Sequence, residues 1–161
     1  MTRILVISDT HIPRSANDLP QAIYDEIPNV DMIIHAGDFV EKDIYDKLKT
    51  LKDIKAVYGN MDSMALRRIL NNKEIIGVGK IRIGLIHGYG APRTLVDTVA
   101  GEFTGVQAVV FGHSHAPMNS VRNGVLFFNP GSPTDKIYAD GNSYGILEID
   151  SGKIEGKIIK I

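Results

Sequence analysis

Short runs of apolar, mostly β-branched residues punctuate the chain at Ile4–Ile7, Met32–Ile34, Ala56–Tyr58, Ile83–Ile86 and Val109–Phe111. They are continuous rather than alternating with polar residues, so each predicts a central strand covered on both faces. Between them the spacing turns helical. Ile44, Leu48 and Leu51 recur at i, i+4 and i+7 after Glu41, and Leu95, Val96, Val99 and Phe103 follow the same rule after Pro92. A shorter helix is expected to start near Asp18. Its side chain would cap that helix, with Pro20 in the first turn and Gln21 at the reciprocal capping position.

The last third changes period. Asn123-Gly124 separates Asn119–Arg122 from Val125–Phe128 and predicts a two-residue hairpin. Asp150-Ser151-Gly152 separates the alternating segments Ser143–Ile149 and Lys153–Ile161 and predicts another. Alternating strands and helices followed by antiparallel strands give an α/β fold, a sandwich of two mixed β-sheets flanked by helices. Residues 1–161 read as one domain. Pro130–Asn142 is the least regular stretch and is expected to be a mobile loop over a site.

Composition narrows the partners more than the fold. A charged fraction of 23% and a net charge of −1 give no global field toward nucleic acid or an anionic membrane. A local metal pair would still admit a nucleotide. Without cysteine, disulfides and thiolate metal sites are excluded. No run approaches the length of a membrane span and the start holds no signal-peptide core, so a cytoplasmic protein is expected by elimination. A homodimer is the base-rate expectation.

Chemistry gathers after the apolar runs. They lead in turn into Asp9-Thr10-His11, Gly37-Asp38, Gly59-Asn60-Met61-Asp62, His87-Gly88 and Gly112-His113-Ser114-His115. In α/β sheets the carboxyl ends of strands are where sites assemble, so donors 106 positions apart can converge. Asp-x-His alone is a weak signal. Gly-His-x-His is rare by chance in a chain with five histidines, and four of the five sit at strand ends beside Gly or Asp. Taken singly, Asp38 also reads as a turn after Gly37 and Asn60 as a left-handed turn residue. Together these readings require a coincidence. No Gly-x-Ser-x-Gly or cysteine nucleophile competes.

In order, these motifs resemble the calcineurin-like metallophosphoesterases, above all their small phosphodiesterase branch, to which the retromer scaffold protein Vps29 is related. The resemblance runs from Asp9 to His115 and is extended by Asn129-Pro130-Gly131-Ser132. It implies one metal on Asp9, His11, Asp38 and His115, and a second on Asp38, Asn60, His87 and His113, with Asp38 bridging. Imidazole and carboxylate donors suit two divalent ions, Mn first, with Ni, Zn or Fe as alternatives. The implied activity is hydrolysis of a small phosphate ester by a bridging hydroxide, with Asp38, Asn60 and His87 in catalytic positions. A phosphomonoesterase on the same site and a non-catalytic Vps29-like scaffold are the alternatives.

Two departures bear on substrate. Many monoesterases of the family carry an acidic His after the Asn, and Met61 stands there; Glu41 replaces the last Asp of Gly-Asp-x-x-Asp. Losing a general acid typically costs about 10²–10⁴-fold with poor leaving groups, so diesters and good leaving groups are expected. Outside the motifs, Arg14 is a candidate phosphate contact beside Asn60, with Ser132 and Lys136 weaker ones. His35 is expected to be structural and hydrogen-bonded across the sheet. Asp62 is a turn residue or a support for a neighbouring loop, and Arg67-Arg68 a solvated helix face.

Overall fold

The computed structural model describes residues 1–161. Ten strands run β1 Thr2–Ile7, β2 Met32–His35, β3 Ile54–Ala56, β4 Lys73–Val78, β5 Ile81–Ile86, β6 Ala108–Val110, β7 Met118–Arg122, β8 Val125–Asn129, β9 Ser143–Asp150 and β10 Lys153–Lys160. Four helices join them: α1 Gln21–Glu26, α2 Lys42–Leu51, α3 Met64–Ile69 and α4 Leu95–Ala100. One sheet has the order β10-β9-β1-β2-β3 and the other β4-β5-β6-β8-β7. Both are mixed. β1 lies parallel to β2 and antiparallel to β9, and β5 lies parallel to β6 and antiparallel to β4.

Strand periodicity distributes the core. Along β1, Ile4 and Val6 face the second sheet, where they join Ile83, Leu85, Val110 and Phe128 in the inter-sheet core. Leu5 and Ile7 face the other way, onto Ile23 of α1, Ile44 and Leu48 of α2 and Leu66 of α3. The second sheet repeats the pattern, with Val109 and Phe127 against Leu95 and Val99 of α4. The continuous apolar runs follow from this layering, because each central strand is buried on both faces. Both hairpins form at the expected residues, with positive φ at Asn123, Gly124, Ser151 and Gly152, as tight two-residue turns require.

Four expectations need correction. Ala56–Tyr58 is not a central strand, since only Ala56 of it falls in β3, which lies at the edge of its sheet and exposes Lys55. The residue flanking α1 is Pro20, with no side-chain cap. The Asp18 carboxylate is taken by Leu19 N–H (2.8 Å), the Tyr24 hydroxyl and Lys47 of α2 (2.7 Å), and Gln21 reaches Asp25 instead. The helix after Pro92 stops at Ala100, and Phe103 lies beyond it. The segment Pro130–Asn142 is not loose throughout, since residues 130–135 are buried and only Lys136–Tyr138, Asp140 and Gly141 are exposed. No helix is long and apolar enough to cross a membrane.

Candidate metal centre

The strand ends deliver their donors to one place. The ends of β1 and β2 carry Asp9, His11 and Asp38, and those of β5 and β6 carry His87, His113 and His115. Donor atoms group in two overlapping trios, Asp9–His11–His115 and Asp9–Asp38–His87, each with all atoms within 4.8 Å of one another. His87 Nε2 stands 3.2 Å from Asp38 Oδ2 and 3.7 Å from Asp9 Oδ1. His11 Nε2 is 3.4 Å from Asp38 Oδ2, and His115 Nε2 is 3.4 Å from Asp9 Oδ1. Ligands about 2.1 Å from a shared tetrahedral ion lie about 3.4 Å apart, so these spacings suit metal coordination. Asp38 Oδ2 lies near a nitrogen of each trio. Asp9 Oδ1 belongs to both, so either carboxylate can reach between two ions.

The unused atoms make the same point. Asp9 Oδ1, His11 Nε2 and His87 Nε2 are buried without any hydrogen-bond partner. Leaving one such atom unsatisfied typically costs about 1–3 kcal/mol, and here three fall within the two adjoining trios. The donor set therefore fits hard or borderline divalent ions, which would satisfy all three.

The surrounding groups aim these donors. Asp9 Oδ2 accepts the Ser8 hydroxyl (2.8 Å) and the His113 N–H (3.0 Å), which turns Oδ1 inward. His87 Nδ1–H donates to the Ala36 carbonyl at 2.7 Å, so in the neutral ring Nε2 presents its lone pair. His115 does the same by donating Nδ1–H to Asp135 Oδ2 at 2.5 Å. His113 donates Nε2–H to the Gly90 carbonyl at 3.0 Å, leaving Nδ1 as its free donor. Asp38 Oδ1 accepts Met61 N–H at 2.8 Å, which leaves Oδ2 for the centre.

Backbone strain concentrates in the same residues. Eight non-glycine residues have positive φ, and five are Asp9, His11, Asp38, His113 and His115. Two of the others, Asn123 and Ser151, are hairpin turns that favour this conformation; Val40 follows Asp38. A left-handed conformation costs an ordinary residue about 1–2 kcal/mol, so function rather than folding accounts for its clustering here.

Asn60 and His113 line the cavity over these atoms, together with Arg14 and Met61. The cavity measures about 760 Å³. Asn60 is exposed on this lining, and His113 stands outside both trios. Glu41 is exposed at the start of α2 and makes no side-chain capping bond. Ser132 is not available as a phosphate contact. It is fully buried, and its hydroxyl donates to the Asp9 carbonyl at 2.8 Å and accepts Asp135 N–H at 2.9 Å.

His35 is fully buried, accepts Gly37 N–H on Nδ1 and faces the Thr10 hydroxyl through Nε2. Burial holds its pKa down at about 3, so it is a neutral structural group. Asp62 ties two turns together, accepting N–H from Asp38 (3.0 Å), Val40 (2.7 Å) and Gly59 (2.8 Å). Arg67 is not a solvated residue. It grips the carbonyls of Asp62, Gly59 and Asn60, and so fixes the Asn60 turn from behind.

Sequence reading missed Asp135. Nothing in its neighbourhood matches a metal motif, and its partner lies 20 positions away. Asp135→Asn should weaken Mn²⁺ binding about 10–100-fold with the circular dichroism spectrum unchanged, because a neutral amide holds the His115 Nδ1–H more weakly than a carboxylate and makes its ring a less basic ligand. Wild-type affinity in a metal titration would exclude that role.

The charges give a pH signature. Burial alone would lower His87, but Asp9 and Asp38 outweigh it and raise its pKa to about 9. Burial is likewise outweighed at His115 by Asp9 and Asp135, again to about 9. Asp9 sits far below the carboxylate range; its burial acts upward but is overcome by His87, His11 and His115. A histidine raised on folding stabilises fully below pH 6.5 and loses that contribution as pH rises through its folded value. Chelated protein should therefore melt at lower temperature at pH 9 than at pH 6.5. Mn²⁺-saturated protein should show the opposite slope, since ions displace those protons and compete better at high pH. Parallel slopes in the two thermal-melt series would refute this.

Two five-stranded mixed sheets with convergent Asp and His donors at their strand ends define a metallophosphoesterase-like protein. Residues 2–152 match the calcineurin-like phosphoesterase superfamily domain, and the chain belongs to that family. A probable metallophosphoesterase of Methanocaldococcus jannaschii is 45% identical over 132 residues, covering 80% of this chain and 67% of its own. One from Methanothermobacter thermautotrophicus is 36% identical over 157 residues, covering 96% and 90%. Among solved structures, a Thermotoga maritima protein superposes over 100% of both chains with a TM-score of 0.78 and 32% identity. Wild-type Vps29 of Entamoeba histolytica, complexed with zinc, covers 99% of both chains with a TM-score of 0.75 and 26% identity.

Proposed function

We propose that the protein is a metal-dependent phosphodiesterase with a dinuclear centre. The observation that carries this reading is the set of three buried, partnerless donor atoms, Asp9 Oδ1, His11 Nε2 and His87 Nε2, spread over two overlapping donor trios beside an open cavity. The zinc complex of a Vps29 relative supports metal binding by this fold. Asp9, His11 and His115 would hold one ion and Asn60, His87 and His113 the other, with Asp38 between them. A pair of divalent ions there, with Mn²⁺ the one proposed among those that imidazole and carboxylate donors take, would supply a nucleophilic hydroxide at neutral pH and neutralise charge on the phosphoryl oxygens.

The remaining roles fall to the chain itself. Arg14 at the cavity wall is the candidate for a further phosphate contact. Asn60 offers an uncharged oxygen and so leaves the centre more electrophilic than a third carboxylate would. Met61, also on the wall, has no proton to give a departing oxygen. This favours diesters and leaving groups that depart as stable anions.

The test is hydrolysis of bis-p-nitrophenyl phosphate and p-nitrophenyl phosphate by chelator-stripped protein, with and without Mn²⁺. Restored activity favouring the diester is expected. Comparable turnover of alkyl and aryl monoesters would replace this reading with a phosphomonoesterase. Metal binding without hydrolysis of any ester would favour a scaffold role, which the likeness to Vps29 also supports.

A further inference from the structure

The cavity brings unlike groups together. Its lining includes donors of the cluster with Arg14 and, beside them, Ile137 and Tyr138. These two are 80% and 81% exposed, the most exposed large apolar side chains in the protein. Residues of this kind normally turn inward, and an exposed apolar pair beside a polar site marks a ligand surface. Their exposure is held in place by the backbone. Asp135 Oδ1 accepts the N–H of Ile137 at 2.8 Å and of Tyr138 at 3.2 Å, and Oδ2 accepts that of Ala139 at 2.9 Å. Asn142 donates to the Asp135 carbonyl at 2.7 Å and closes the loop from its far end.

The same Asp135 carboxylate holds His115, so the apolar pair and the donor cluster share one support. The Tyr138 ring lies 6.2 Å from the His115 ring at 75°, edge against face, with its outer face open to solvent. A flat ring laid on Tyr138 and flanked by Ile137 would bury apolar surface on both partners, while a phosphate attached to it reached the donor cluster. Met61, 37% exposed, also lines the cavity and can add a soft contact.

We infer that Ile137 and Tyr138 form a stacking platform that selects phosphate esters carrying a flat aromatic group of the nucleobase kind. This rests on the phosphoesterase reading above and names its substrate class. A bare sugar offers this pair no flat apolar face and a small alkyl group buries far less area on it than a ring does, and the chain's near-neutral charge gives no field to draw in a polynucleotide. The selected ligand is therefore a small nucleotide ester, recognised by ring stacking and by its phosphate.

The experiment is calorimetric titration of the Mn²⁺-loaded protein with adenosine 5′-monophosphate, ribose 5-phosphate and inorganic phosphate. The nucleotide should bind about 10-fold or more tightly than the sugar phosphate, in keeping with base–aromatic stacking. In Tyr138→Ala/Ile137→Ala that preference should vanish while phosphate affinity stays within about 2-fold, and Tyr138→Phe should keep it. Equal affinity for nucleotide and sugar phosphate, or a preference that survives the double substitution, overturns the platform but leaves the phosphoesterase reading standing. Failure of inorganic phosphate itself to bind overturns both.

Discussion

Asp38→Asn should lower phosphodiester hydrolysis by at least about 10³-fold, the scale of several kcal/mol of lost charge stabilisation, while the fold survives. The geometry makes this isosteric change unusually decisive. Asp38 Oδ1 accepts a backbone N–H, that of Met61 at 2.8 Å, and a backbone donor cannot be reoriented. The amide must therefore keep its oxygen there and turn its NH₂ toward the centre. That nitrogen would take the place of Oδ2, 3.4 Å from His11 Nε2 and 3.2 Å from His87 Nε2, where it cannot ligate a cation. In the proposed dinuclear centre both ions would be weakened, since Oδ2 stands beside a nitrogen of each trio. Metal content by elemental analysis and hydrolysis by chromogenic diester would be read together, with circular dichroism as the folding control. Retention of wild-type metal content and activity would remove Asp38 from between the ions.

Gly112→Ala should have the largest effect on stability, about 3 kcal/mol, or a melting temperature lower by about 6–12 °C for a chain of this size. The added methyl carbon would lie 2.0 Å from Ser8 Oγ and 2.7 Å from Asp9 Oδ2. Neither side can yield. Gly112 N–H donates to the His87 carbonyl at 3.0 Å, and its own carbonyl accepts Asn129 Nδ2 at 3.0 Å and Ser114 N–H at 2.9 Å. Ser8 and Asp9 are fully buried and bonded to each other. Relief must displace Asp9, so Mn²⁺ affinity should fall with stability. Gly77→Ala is the matched control, with nothing within 4 Å of the added carbon and an expected change within about 0.5 kcal/mol. Equal melting temperatures for the two variants would show that the β1 and β6 ends do not pack as tightly as described.

The fold was legible because its central strands are buried on both faces and so announce themselves as unbroken apolar runs. Elements with one open face were harder to read. β4 buries only Ile76 fully while Ile75 stays half exposed, and the short α3 buries only Leu66, too few positions to set a period. The donors could be read from their places at strand ends, and the structure brings Asp9, His11, Asp38, His87 and His115 together. What supports them could not. Asp135 and Arg67 act through contacts created by loop geometry, with no local pattern to mark them. Ser132 misled for the same reason, because a serine in an irregular stretch looks available until its hydroxyl is found beneath Asp9.

The donors do not hang from one sheet. Asp9, His11 and Asp38 come from one half of the sandwich and His87 and His115 from the other, whereas elsewhere the two halves meet mainly through apolar side chains. Ions seated between them would act as rivets at one end of an otherwise greased joint. At a free-ion concentration 100 times the dissociation constant, such a rivet adds about 2.7 kcal/mol against opening. Metal starvation would then do more than idle the protein. It would leave a half-fastened sandwich for cellular proteases, so that the amount of protein, and not only its activity, would follow the supply of the ion.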